Sequence, residues 1–423
     1  MKRLLAISMI LILAASLNAG KDERVLPYSA LISSAKIYLG QKTKDYESAT
    51  QRLQEAIDNY PDPLEAYYFM GLIHSERAEY REMLDKFDKV REICARAEAE
   101  ENKKIKKRCK KEKMLEQIDD IILAEWEKTF QSGVTHLKMA DSLSGEIKTA
   151  SDDSLKAKLE RITGDLLHKA KEEFEVSLLL DSTKFEAWTN IGMVEGHLEN
   201  LEAAVEHYQR SHQLNPDDIG MLPDLANALY KLERFADAVL VYNEMADKDT
   251  ANAIWALTYS AICYQKLKRQ DELKQTYDRI LEIDPNDAQI RYQRGMYYVQ
   301  QASSEEVRDS LSHLDQLIKA NPKNKSLKKA KEDLIDYRVN FYKMALPDFK
   351  IAAEQDSTDA FYQYWYGTSA FLANEVELAR NIYERCVAIN PDSKDCWCGL
   401  ESVYARLQLK EKYEEAHAKC EGE

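Results

Sequence analysis

The sequence predicts an all-α protein built from stacked helix pairs, and three observations carry that prediction. Between Phe185 and Pro285 the same residue types recur at a spacing of 34 and then 35. Gly192, Ala226 and Ala261 share one slot, Ala204, Ala238 and Leu273 a second, and Tyr208, Tyr242 and Tyr277 a third. Asn215-Pro216, Asp284-Pro285, Asn321-Pro322 and Asn390-Pro391 each stop a helix, because the residue before proline avoids the helical region. Glycine contributes only 13 of 423 residues, and no alternating run of β-branched residues marks a strand. Length alone would suggest two or three globular domains; the repeat favours one elongated body.

Each slot has a physical reason. A small residue at the eighth position lets the first helix of a pair approach the second closely. Twelve positions on, a small residue of the facing helix meets it, and four residues later an aromatic fills the space on the same helical face. No pair buries its apolar face alone, so neighbours must stack. Over 27–93, Ala49, Leu53, Ala56 and Pro61 fit the second half of one repeat, and Met70, Gly71 and Phe87 the next. Over 94–184 the period fails, yet Trp126, Gly133, Ala170 and Phe174 suggest one pair with overlong helices. Residues 185–287 hold the regular copies. Residues 288–359 are degenerate: Gly295, Tyr298 and Pro322 mark one copy with a lengthened second helix, and Ala330 to Gln355 is expected to form another pair, with Pro347 near the start of its second helix. Over 360–423, Gly367, Ala379, Tyr383 and Pro391 form a good copy, and Trp397, Leu400 and Tyr404 open a final one.

This register resembles the tetratricopeptide repeat (TPR). The resemblance implies a right-handed superhelix of about ten helix pairs whose first helices line a concave groove. Carried onto this chain, the family's groove positions give Asn190, Asn227, Tyr230, Trp255, Tyr259, Tyr292, Tyr364 and Trp365 as the partner-binding candidates, with Met193, Thr258, Gln293, Met296 and Phe361 among their neighbours. Tyrosine and tryptophan offer large, rigid contact area at small entropic cost. The basic clamp with which chaperone-binding members hold a carboxylate is missing here. The competing reading of these aromatics is ordinary packing between repeats.

Residues 1–19 have the layout of a secretory signal peptide: Lys2 and Arg3, an apolar run from Leu4 to Leu17, then small residues, with cleavage expected after Ala19. An uncleaved membrane anchor is the alternative. Loss of the leader takes the net charge from −15 to −17, and so acidic a chain has little electrostatic reason to bind nucleic acid. All seven cysteines lie downstream. Cys386, Cys396, Cys398 and Cys420 are expected to form disulfides among themselves, in a pairing left open, and Cys94 and Cys109 could bridge, leaving Cys263 as a buried thiol. A zinc site of Cys396, Cys398, Cys420 and His417 is a weaker alternative.

The run Lys103–Lys113 carries eight basic residues in eleven and is either a solvated helix start or a dock for an acidic partner. Motifs for a nucleophile, a metal hydrolase or a phosphate cradle are lacking, so no catalytic residue and no cofactor is assigned. The expected function is that of an exported, non-catalytic scaffold in the periplasm, at the outer membrane or outside the cell, binding a protein or peptide or assembling an envelope complex. The alternatives are a membrane-anchored assembly factor and a carbohydrate-binding protein that stacks sugars on its aromatics.

Overall fold

A computed structural model describes residues 25–111 and 113–422. The leader read at 1–19 lies outside the described residues. Among the described residues there is no strand. The described residues divide into two compact units, the first comprising those up to 200 and 210–215, the second 201–209 and those from 216 on.

The first unit contains α1 (Tyr28–Leu39), α2 (Tyr46–Asn59), α3 (Leu64–Glu76), α4 (Tyr80–Ala99), α5 (Lys103–Lys111), α6 (Met114–Thr149), α7 (Asp153–Leu180), α8 (Phe185–His197) and the last turn of α9 (Leu201–Leu214). Packing is between near neighbours in sequence, as a stack of pairs requires. The slots work as anticipated: a methyl group added to Gly71 would run into the ring of Phe87, and one added to Gly133 would meet Phe174 at 2.8 Å. The overlong pair α6–α7 is therefore a true pair whose two helices extend beyond the shared core of Leu137, Ala140, Leu166, Ala170 and Phe174. Asp152 caps α7 by accepting from the Leu155 amide at 2.8 Å.

The basic helix α5 is folded back onto this unit. The Cys94–Cys109 disulfide ties it to α4. Arg108 pairs with the buried Glu65 of α3, which also accepts from the Tyr28 hydroxyl at 2.7 Å, and Lys106 pairs with Glu98 at 2.7 Å. Lys103, Lys104 and Lys107 remain exposed.

The second unit begins within α9 and continues through α10 (Leu222–Lys231), α11 (Phe235–Lys248), α12 (Ala253–Lys266), α13 (Gln270–Ile283), α14 (Ala288–Ala302), α15 (Glu305–Ala320), α16 (Lys325–Gln355), α17 (Ala360–Leu372), α18 (Val376–Ile389), α19 (Lys394–Arg406) and α20 (Lys410–Glu421). The regular first helices end alike. Glu233, Lys268, Asn374 and Gln408 adopt φ between 56° and 65°, and the next residue's amide reaches back to a carbonyl of the last turn, as Arg234 does to Leu229 at 2.9 Å. Ala78 and Glu199, at 55° and 61°, end helices of the first unit in the same way.

One expectation is corrected. Ala330–Gln355 is not a helix pair of its own: Lys325–Gln355 is a single helix with Pro347 inside it. Its C-terminal half supplies the partner of α14, since a methyl at Gly295 would meet Phe349 at 2.8 Å, and Ala345 and Phe349 are fully buried. Ala345 and Phe349 thus fill the slots that Ala379 and Tyr383 fill in the next repeat. In a regular copy the two contacting slots stand 16 apart, as Gly367 and Tyr383 do; here they stand 54 apart. The added length is α15 and the first half of α16, which pack on each other. Proline at 347 removes one helical hydrogen bond, a loss that burial of the surrounding Ala345, Phe349 and Ala352 outweighs.

At the C-terminus, Cys386 of α18 is bonded to Cys396 of α19, and Cys398 of α19 to Cys420 of α20. The helices α18, α19 and α20 are thereby linked in series. Cys263 is a buried free thiol.

Candidate functional site

Most of the groove candidates lie on the first helices of the second unit, where the structure gathers them into two aromatic groups. On α12, Trp255 and Tyr259 sit one turn apart with ring centroids 4.8 Å from each other, and Tyr259 stacks on the buried Tyr242 of α11 at 5.5 Å. Trp255 remains 41% exposed. The second group spans α14, α16 and α17. Tyr292 approaches Phe361 at 5.0 Å, Tyr362 at 5.9 Å and Trp365 at 6.5 Å, while Trp365 lies over Phe349 and Tyr364 against Tyr383. Phe361 is 47% exposed and holds the slot that Trp255 holds in its own repeat.

The aromatics differ in burial, residue by residue. Tyr259, Tyr292, Tyr364 and Trp365 are half-buried and bridge neighbouring helices, whereas Trp255 and Phe361 present open rings. Tyr230 stands apart from both groups, edge-on to Phe235 at 5.4 Å, and Asn227 is exposed beside it in the same helix. Asn190 belongs to the first unit, where its amide donates to the Glu186 carbonyl of its own helix at 2.8 Å. Phe361, Tyr362 and Phe349 complete the second group. Phe361 was legible from its slot; Phe349 was hidden by the inserted α15.

A polar network under the second group was not anticipated. Asp348 of α16, 1% exposed, accepts from Arg291 Nη1 at 2.8 Å and from Arg294 Nε and Nη2 at 2.8 and 2.7 Å. Arg294 also donates to Asp278 of α13 at 2.6 Å, which in turn takes Lys274 at 2.7 Å. The bonds it donates to Asp348, foremost, raise the guanidinium of Arg294 above its ordinary pKa. The network fixes α14, and with it Tyr292, against α13 and α16. The sequence signal was Arg291 and Arg294, three apart on one helical face.

Among the described residues the one cluster with metal-ligand spacing is Cys398, Glu401 and Cys420, but the two sulfurs are joined to each other. Cys396 is likewise bonded, to Cys386, so the zinc set weighed from the sequence has no free thiolate. His417 Nδ1 instead lies 2.8 Å from Glu401.

Comparison with known proteins agrees with the register. Profiles of the tetratricopeptide repeat match residues 185–218, 255–287 and 362–393. No curated protein matches the chain. Solved structures similar to it include YrrB, described as a TPR protein with an unusual peptide-binding site, at 17% identity over 53% of this chain and 96% of that one, with a TM-score of 0.34. MamA 41-end from Desulfovibrio magneticus RS-1 shares 14% identity over 48% of this chain and 90% of that one (TM-score 0.32), and a further MamA structure 10% over 49% and 92% (TM-score 0.32). This chain is an all-α protein that carries tetratricopeptide repeats, an architecture typical of protein-interaction scaffolds.

Proposed function

We propose that this chain is an exported, non-catalytic scaffold that holds a polypeptide segment on the first-helix face of its second unit. The observation that carries the reading is the pair of open rings, Trp255 and Phe361, each at the edge of an aromatic group whose other members are locked by packing. An exposed large aromatic backed by fixed neighbours is a pre-organised anchor. Helix α17 has no charged residue, and α12 has only Lys266, at its last position. Such faces desolvate at little cost. The three disulfides fit an oxidising compartment, in line with the leader expected at 1–19. Among the described residues no helix is long and apolar enough to cross a membrane.

The test is cross-linking pull-down from the native envelope with the intact chain and with a Trp255→Ser, Phe361→Ser variant. The reading expects a protein partner that the variant loses while its helicity stays unchanged. A partner held equally by both would refute it, as would capture of cell-wall glycan alone. N-terminal sequencing of the mature chain decides export: Gly20 as the first residue is expected, and an intact Met1 would favour the anchored form.

A further inference from the structure

Beside Trp255 the second unit has a cavity of about 410 Å³, lined by Ile219, Pro223, Met245, Asp249, Asn252 and Trp255. Its walls are largely apolar, and neither lysine nor arginine lines it. Asp249 supplies one carboxylate. Its oxygens accept from the Asn252 side chain at 2.7 Å and from the Ala251 amide at 3.1 Å, bonds that hold the carboxyl below its ordinary range. It is therefore an anion at neutral pH, and a carboxylate's acceptor capacity exceeds these bonds. Gly220 also lines the cavity, and its amide donates to Asp218 at 2.9 Å. The cation nearest in sequence, Lys248, is engaged elsewhere, on the Pro216 carbonyl and Glu244, both at 2.7 Å.

An apolar slot with an anion in its lining, beside a partly exposed indole, suits a side chain with a long apolar stem and a cationic head. A planar guanidinium can stack on the indole and fork to the carboxylate at once, which an ammonium cannot. We propose that this pocket receives an arginine side chain of the bound polypeptide, so that the partner segment is basic. The proposal rests on the reading of the first-helix face as polypeptide-binding and adds a charge preference to it. The chain's net charge of −15 favours encounter with such a segment.

The test uses the full chain and a fluorescent pentapeptide of alternating leucine and arginine, against the same peptide with citrulline, a neutral isostere, at both arginines. Anisotropy should show the arginine peptide binding about tenfold more tightly at low salt, from an ion pair and a cation–π contact together. Added salt and Asp249→Asn should each close that gap. Equal affinities, or a gap that Asp249→Asn leaves intact, would overturn the proposal. If Trp255→Ser then weakens both peptides alike, the polypeptide-binding face survives without its charge preference. If neither peptide responds to Trp255→Ser or Phe361→Ser, both readings fall.

Discussion

Replacing Asp348 by alanine should damage the second unit far more than removal of any surface carboxylate. Asp348 is sealed from water and takes three charge-assisted hydrogen bonds from two arginines. Without it, Arg294 keeps only Asp278, which it shares with Lys274, and Arg291 keeps only the Pro285 carbonyl. Removing one partner of a buried ionic cluster strands the remaining charge, at a cost of about 3 to 5 kcal/mol. With a urea slope of about 3 kcal/mol/M the midpoint should fall by about 1 to 2 M. The assay is urea denaturation followed by circular dichroism under non-reducing conditions. In a repeat stack the loss should show as an early transition of the segments around α14 and α16, since stability there is a sum of neighbour terms. Asp315→Ala, which breaks a partly exposed pair with Lys331, is the control and should shift stability by no more than about 1 kcal/mol. A triple change of Asp348→Leu, Arg291→Met and Arg294→Met should recover much of the loss, because apolar groups need no pairing. A cost for Asp348→Ala within about 1 kcal/mol would refute the assignment of this cluster as the clamp between α14 and α16.

Two glycines on α6 should answer to alanine with opposite signs. At Gly133 the new methyl would meet Phe174 at 2.8 Å and cost about 1 to 3 kcal/mol, while at Gly145 nothing lies within 4 Å and helix propensity should add about 0.5 to 1 kcal/mol; thermal melts of the two variants decide it. Serine at both Cys398 and Cys420, or at both Cys386 and Cys396, should destabilise the end of the stack by about 2 to 5 kcal/mol, and hydrogen exchange in α19 and α20 that does not accelerate would contradict the staple. In strong base the chain should weaken. Burial raises the phenol of Tyr277 to about 12 and the thiol of Cys263 to about 11, and it raises the phenols of Tyr242 and Tyr383 as well. The folded state then holds these protons more tightly than the unfolded one. Their contribution is complete below pH 10 for the tyrosines and below pH 9 for the thiol, and it is lost as pH rises through the folded values. Melting temperature should accordingly fall from about pH 10 upward, and thiol reagents should reach Cys263 only after denaturation; ready labelling of the native chain near pH 8 would count against its burial.

The helix pairs could be read in the sequence because the slots that make them are local. Glycine facing an aromatic 16 residues on, as in Gly71 with Phe87 or Gly367 with Tyr383, is a contact between adjacent helices joined by a short turn, so spacing alone reports it. Gly133 and Phe174 stayed legible at a spacing of 41, because the intervening chain simply lengthens both helices. Gly295 and Phe349 did not. Between them stand α15 and half of α16, which are as helical in pattern as a repeat of their own, and nothing local says that α14 skips them. Only the folded chain settled that, through the volume Phe349 fills beside Gly295 and the charge Asp348 supplies to two arginines.

The same division runs through the candidate site. Sequence slots named the aromatic helices; burial separated Tyr259 and Trp365, half-buried against Tyr242 and Phe349, from Trp255 and Phe361, which stand open. Four cysteines near the C-terminus announced covalent links, and three-dimensional proximity chose Cys386 with Cys396 and Cys398 with Cys420. What the sequence determined by itself is what one or two helical turns can encode: helix, stop, small slot, aromatic slot. Which helix covers which, which charges are sealed from water and which rings face it depend on contacts between residues far apart in the chain, and those exist only once the stack has formed.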